Sequence, residues 1–254
     1  MFRLKVSIIT VVLNNRDFIE DCIESVRAQN YPDIEHIVID GASTDGTVDI
    51  LKRYESSFAK FVSEPDHGIY DAMNKGIGFA TGDIVGCLNS DDFYAERTVI
   101  HDIAREFRTK QVDAVFSDLV YVDRRNTERI TRYYNSSHFS TSKFAFGWMP
   151  PHPTFFALRR CYQDYGVFKT DYKIAADFEL LARFLGKYRI SYQYLPRVTV
   201  KMRSGGVSTK NFMSNWTLNN EVIRACAENG IRTNLLKVYL KYFEKVFQLT
   251  DRPK

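Results

Sequence analysis

The chain has 254 residues, 44% of them hydrophobic and 14% aromatic, and a formal net charge of +4. That is ample apolar surface for one α/β domain with an appendage, and too small a charge excess to make nucleic acid a partner. The balance is uneven: ten Lys/Arg stand against four Asp/Glu after residue 200, and 25 against 27 before it, so the basic excess belongs to the tail.

Cys22, Cys87, Cys161 and Cys226 lie far apart with no C-x-x-C spacing, each among apolar neighbours, as small core residues in a reducing compartment would. The apolar run 6–13 is too short for a secretory signal and leads at once into Asn14, Asn15, Arg16 and Asp17. No stretch approaches the ~20 apolar residues of a membrane span. The expectation is a cytoplasmic protein.

Strand-length apolar runs alternate with segments of helical period, the pattern of a parallel sheet with crossover helices. Residues 6–12 (VSIITVV) are β-branched and continuous, so they predict a buried strand. Asp17 is expected to open a helix with Phe18, Cys22, Ile23 and Val26 on one face. Residues 36–39 predict a second strand, followed by a helix carrying Val48, Leu51 and Tyr54, and then a third strand near 61–63. The spacing over 69–80 puts Ile69, Ala72, Met73, Ile77 and Ala80 on a core face and Asp71, Asn74 and Lys75 on another. Strands follow at 84–88 and 114–121. Periodicity fades over 124–151, which reads as a loop with strand pieces, and returns with a strand at 154–158, a helix around 177–185 and a strand near 192–200. A flexible loop, "RSGGVST", precedes two closing helices, 210–228 and 233–249.

Polar clusters stand where the first four strands end: Asn14-Asn15, Asp40-Gly41-Ala42-Ser43, Glu64-Pro65-Asp66-His67 and Asn89-Ser90-Asp91-Asp92. Each alone is what an N-cap requires. Four on one rim favour a polar pocket at the carboxyl ends of the strands, where open parallel sheets bind ligands. Neither G-x-G-x-x-G nor G-x-x-x-x-G-K-[ST] occurs, so bound phosphates need another source of compensating charge. Asp91 and Asp92 offer hard oxygens for Mg²⁺ or Mn²⁺, which bridge phosphates.

The segments "VSIITVVLNN", "IVIDGASTDGT", "DAMNKGIGFATGDIVGCLNSDDF" and "IAADFELLAR", in this order, resemble family 2 glycosyltransferases over residues 5–206. The resemblance implies the GT-A fold: a Rossmann-like, mostly parallel sheet flanked by helices, here with C-terminal helices. Its catalytic domain would span 1–206, with a nucleotide-sugar half to about 121 and an acceptor half from 122, and a helical extension over 207–254. The family's acidic strand-end motif is D-x-D, and its last Asp holds the metal; here it reads Asn89-Ser90-Asp91, which makes Asp91 the metal ligand and replaces the first carboxylate with an amide. Thr10, Asn14, Asp40, Ser43, Asp66, Lys75, Asn89, Ser90, Asp91 and Arg203 fall where the donor nucleotide would bind. For Lys75, an i, i+4 pair with Asp71 is an equal reading.

Asp177 matches the family's catalytic base, with Glu179 the competing carboxylate and a first-turn helix acid the structural alternative. The implied reaction is inverting, Asp177 taking the proton of an acceptor hydroxyl. His152, between prolines, resembles an acceptor-side histidine or is a packed loop residue. Lys201 and Arg203, beside the glycines, would close over the diphosphate. The Q-x-x-R-W motif of processive members is absent, which favours transfer of one hexose or N-acetylhexosamine from a nucleotide sugar, UDP-linked by preference, to a glycan. In the tail, Lys237, Lys241 and Lys245 line a polar stripe against Leu236, Tyr239, Leu240, Phe243, Val246 and Phe247. Such a helix over 233–249 lies on an anionic membrane, whose acceptor would be a polyprenyl-diphosphate-linked glycan, or docks onto the catalytic domain or a second subunit of a homo-oligomer. The rival functions are a non-catalytic sugar-binding subunit and a sugar-phosphate nucleotidyltransferase.

Overall fold

A computed structural model describes residues 3–205 and 212–240. Nine strands form one sheet, ordered β3-β2-β1-β4-β8-β6-β9-β5, with β7 paired to β6. The first four members, β1 (Val6–Val12), β2 (Ile34–Asp40), β3 (Lys60–Ser63) and β4 (Ile84–Cys87), are mutually parallel. This is the half that the alternating pattern predicts.

Beyond β4 the direction mixes. β8 (Phe156–Leu158) runs antiparallel to both β4 and β6 (Ala114–Val122), β9 (Tyr192–Arg203) is parallel to β6, β5 (Phe93–Tyr94) pairs antiparallel with β9, and β7 (Ile130–Tyr134) pairs antiparallel with β6. Gly86 permits the β4–β8 contact, because a Cβ there would fall inside the Phe156 ring. β7 is the main strand piece in the aperiodic stretch.

Helices cover both faces. On β1, Ile9 and Val11 point to α3 (Ile69–Phe79), α5 (Arg159–Tyr165), α6 (Ala176–Leu181) and α7 (Phe212–Glu228), while Val6, Ile8 and Val12 point to α1 (Ile19–Arg27), α2 (Thr47–Tyr54) and α4 (Val99–Lys110). α6 continues as a π-helical turn over Ala182–Lys187. The sequence expectation has no helix at α4 or α5, although Val99, Ile100, Ile103, Ala104 and Phe107 give α4 a regular buried face.

Two local expectations are corrected. Asp17 does not open α1: the carbonyl of Asn15 accepts the Phe18 and Ile19 amides at 3.3 and 3.1 Å, so a turn intervenes and the helix starts at Ile19. Ile69 is exposed, and its neighbour Tyr70 takes the core position, stacking on Phe168 at 5.7 Å. All four cysteines are buried free thiols. Of the closing helix, residues 235–240 are helical, with Val238 buried and Leu236 exposed; its continuation to 249 and the loop 206–211 lie outside the described residues. No helix among them is long and apolar enough to cross a membrane.

α3 lies close on β1 because Gly76 faces Ile9, and a Cβ at 76 would overlap that side chain. Gly78, two residues on, faces open space. Gly76→Ala should therefore lower unfolding stability by about 1–3 kcal/mol, and Gly78→Ala should raise it by about 0.5–1 kcal/mol, both read from urea denaturation.

Candidate active site

The four polar strand ends converge and are bonded to one another. Asn14, at φ +51°, receives a hydrogen bond on its Oδ1 from the Thr44 amide at 2.8 Å, and its own amide donates to Ser43 Oγ at 2.8 Å. Ser43 N and Ser63 Oγ both donate to Asp40 Oδ2, at 3.0 and 2.7 Å. Asn15 Nδ2 reaches Ser90 Oγ at 2.8 Å, tying the β1 exit to the β4 exit. None of α1, α2, α3 or α4 has a side-chain N-cap from these clusters. The capping explanation fails, and the polar groups build a rim.

Two carboxylate oxygens on this rim are buried without a partner, Asp40 Oδ1 and Asp92 Oδ1. A buried acceptor left unmade costs free energy, so each is a place where a ligand donor or a cation is favourable. Asp66 Oδ1 accepts the Gly68 amide at 2.8 Å within the loop before α3, and the carboxylate spreads over Gly41, whose Cβ would meet Asp66 Oδ2 at 2.5 Å. Position 41 is glycine because the Asp66 carboxylate occupies the space. Lys75 lies at the foot of the same loop, paired with Glu64 at 2.9 Å and Asp71 at 3.6 Å and bonded to the Pro65 carbonyl. Both the i, i+4 partner and a loop contact are thus present.

The acidic loop contains two neighbouring carboxyls. Burial holds Asp91 above the usual carboxylate range and Asp92 well above it, the Asp91 charge adding to the effect on Asp92. Arg203 and Arg124 oppose this at Asp91. Asn89, the amide in the first motif position, turns its Nδ2 to Asp92 Oδ2 at 3.1 Å. No cluster of three or more metal-binding side chains occurs among the described residues. Two adjacent carboxylates with one bare oxygen nevertheless fit Mg²⁺ or Mn²⁺, which take one or two protein carboxylates and complete their shell with phosphates and water.

Three expectations are corrected. Thr10 does not line the cleft: it is fully buried under α1, its hydroxyl 3.0 Å from His36 Nε2 and 3.7 Å from Cys22 Sγ, because even-numbered β1 residues face that helix. Arg203 is no mobile clamp. It is buried, bonded to the Asp91 carbonyl at 2.8 Å and to Asp21, with its guanidinium 4.7 and 4.8 Å from the Phe18 and Phe93 ring centres. Lys201, the other half of the expected closure, reaches Glu128 at 3.2 Å.

Asp177 sits in the first turn of α6, half-buried, with Oδ1 accepting the Phe178 amide at 2.7 Å and no ion pair among the described residues. Burial raises its carboxyl to about 6. Glu179 is excluded as a base: it is fully buried and ion-paired to Arg183 at 2.8 Å and Lys169 at 3.1 Å. The Tyr121 phenol is pushed up by burial and further by the charges of both Asp92 and Asp177, while Arg132 opposes them. His152 is buried, edge-on to Phe168 at 5.3 Å, and burial pushes it down to about 4, so it is neutral at physiological pH.

Sequence reasoning missed the support for Asp177. Glu221, on α7, accepts the amides of Lys173, Ile174 and Ala175 at 2.7, 2.9 and 2.9 Å, and Tyr70 donates to the Ile174 carbonyl at 2.5 Å. No local signal marks Glu221, which lies 44 residues away in a helix. Glu221→Ala should cost about 1–3 kcal/mol by orphaning those amides. The raised carboxyl of Asp177 has the opposite sign. Its folded value lies above the unfolded one, so stability falls as pH rises from about 4 to 6 and the whole penalty is present above 6. Asp177→Asn should therefore be more stable than the wild type at pH 7.5, by about 1–3 kcal/mol, and no more stable at pH 3.5, as judged by denaturant midpoints.

Residues 7–166 match the model of glycosyl transferase family 2. An uncharacterized glycosyltransferase of Mycobacterium tuberculosis (strain H37Rv) is 37% identical over 180 residues, covering 70% of this chain and 68% of that protein. Among solved structures, Staphylococcus aureus TarS 1–349 in complex with UDP-GlcNAc superimposes with a TM-score of 0.68 at 16% identity, over 96% of this chain and 73% of that one. The Pyrobaculum calidifontis mannosyltransferase PcManGT, in complex with GDP-Man and Mn²⁺, does so with 0.67 at 21% identity, over 98% and 73%. The mixed sheet flanked by helices is the fold of these enzymes, and this chain belongs to glycosyltransferase family 2.

Proposed function

We propose that the protein transfers one hexose or N-acetylhexosamine from a UDP-sugar to a glycan acceptor in polysaccharide assembly, with inversion at the anomeric carbon. The observation that carries the reading is Asp177: a half-buried carboxyl with no ion pair among the described residues, raised by burial to about 6, whose charge and that of Asp92 both raise the Tyr121 phenol. A base poised near neutrality is what proton removal from a sugar hydroxyl requires.

Asp177 accepts the acceptor proton as that oxygen bonds to the anomeric carbon. The bond from that carbon to the diphosphate breaks on the opposite face, and the nucleoside diphosphate leaves with the electron pair. Asp40, with its bare Oδ1, Ser43 and Asn14 receive the nucleoside, Asp66 and Lys75 edge that pocket, and Asp91 with Asp92 holds Mn²⁺ or Mg²⁺. When bound, the cation offsets the charge of the diphosphate. The Glu221 and Tyr70 anchors hold Asp177 in place. UDP as donor is supported by the UDP-GlcNAc complex of TarS, and divalent metal by the Mn²⁺ complex of PcManGT. His152, neutral and buried, orients the acceptor side.

Calorimetric titration of UDP should show binding that requires Mn²⁺ and is lost in Asp91→Ala. Binding indifferent to both would remove the metal and donor assignment. Asp177→Asn should keep UDP affinity while turnover drops by about 10²–10⁴, and wild-type kcat/KM should fall tenfold per pH unit below about 6. Retained anomeric configuration in the product would refute the mechanism.

The acceptor is membrane-linked, on the reading of the tail: Leu236, Tyr239 and Leu240 are exposed apolar residues beside Lys237 at the start of the closing helix. Flotation with anionic liposomes should be lost on deletion of 233–254; equal flotation after deletion would rule out that contact.

A further inference from the structure

Several buried or half-buried arginines fasten distant elements together. Arg203 holds the Asp91 carbonyl, Arg183 binds Glu179 and two carbonyls, Arg197 pairs with Asp102 and Glu96, and Arg160 with Asp113. Arg132 differs. It stands on β7, opposite Tyr121 on β6, half-buried, with its guanidinium carbon 4.3 Å from the Tyr121 ring centre and 5.5 Å from that of Tyr134. No side-chain hydrogen bond or ion pair joins it to any described residue, and its Nε is buried without a partner among them.

A part-buried cation with no counter-charge is costly. Stacking on tyrosine recovers about 0.5–2 kcal/mol, yet uses the face of the guanidinium and leaves the N–H edge unused. That edge matches an oxyanion in a bidentate grip. Its surroundings say which oxyanion. Tyr121 is the ring that the charges of Asp92 and Asp177 both reach, so Arg132 stands beside the reaction cleft. The donor diphosphate already has the 89–92 loop with Arg124 beside Asp91. Arg132 lies, like Asp177, after residue 122, and the half-buried Tyr134 ring beside it is backed by the buried Trp148 ring at 5.5 Å.

We propose that Arg132 binds an oxyanion carried by the acceptor, a phosphate or a sugar carboxylate, so that the protein selects an anionic glycan. This rests on the transferase reading above and adds the acceptor's charge to it.

The test uses the full chain saturated with UDP and Mn²⁺, titrated calorimetrically with inorganic phosphate and, separately, with glucuronate. The wild type should bind at least one in the millimolar range; the one preferred identifies the source of the anion. Arg132→Gln should weaken that binding at least tenfold and leave UDP affinity within twofold. Arg132→Lys, which keeps charge and loses the fork, should fall between, and decides the matter if the Gln variant does not fold. Unchanged anion binding in both variants, or no anion binding by the wild type, overturns the proposal. A tenfold loss of UDP affinity in Arg132→Gln overturns it too, by assigning the residue to the donor. If UDP does not bind the wild type, the transferase reading fails separately, and the same anion titration on UDP-free protein still tests Arg132.

Discussion

Arg203 ties together elements more than a hundred residues apart. It lies at the last position of β9, donates to the main-chain carbonyl of Asp91, pairs with Asp21 on α1, and is held between Phe18 and Phe93. A buried guanidinium bonded in this way fixes three segments at once: the end of β9, the acidic loop and the first helix. Without it the loop from Asn89 to Asp92 has few anchors of its own, Asn89 to Asp92 and Ser90 to Asn15 being the main side-chain bonds. Arg203 holds the main chain of this loop at Asp91.

A second clamp holds the other half of the site. Three amides before α6 converge on Glu221, and the carbonyl of Ile174 on Tyr70, so the turn carrying Asp177 is gripped from α7 and from α3. α3 follows the loop that bears Asp66. The loop bearing Asp66 and the turn bearing Asp177 therefore share a rigid helix, close-packed on β1 through Gly76. This explains how residues 40, 91 and 177, drawn from distant parts of the chain, stay in register.

Much of this was legible in the sequence where the signal is local. The β-branched runs of β1, β2 and β4 and the amphipathic face of α3 follow from periodicity, and the polar strand ends follow from the chemistry that open sheets place there. What was not legible depends on long-range partners. The face on which Thr10 lies is set by α1 packing over β1, and one-residue alternation hides it. Arg203 reads as a loop cation beside glycines, since Phe18, Phe93 and Asp21 are far off in sequence. β7 is short and half-buried, so its pattern is weak, and β5 has two residues. The reason for glycine at 41 is likewise hidden in the sequence: the Asp66 carboxylate, 25 residues on, lies where a Cβ would stand.

The Arg203 grip has a consequence for how such a site changes over evolutionary time. It holds the carbonyl of residue 91, and every residue type offers the same carbonyl. The side chain at 91 is thereby released from any duty in shaping the loop. A change of ligand at this position leaves the contact that supports the loop in place. Architecture and chemistry are inherited here through separate atoms.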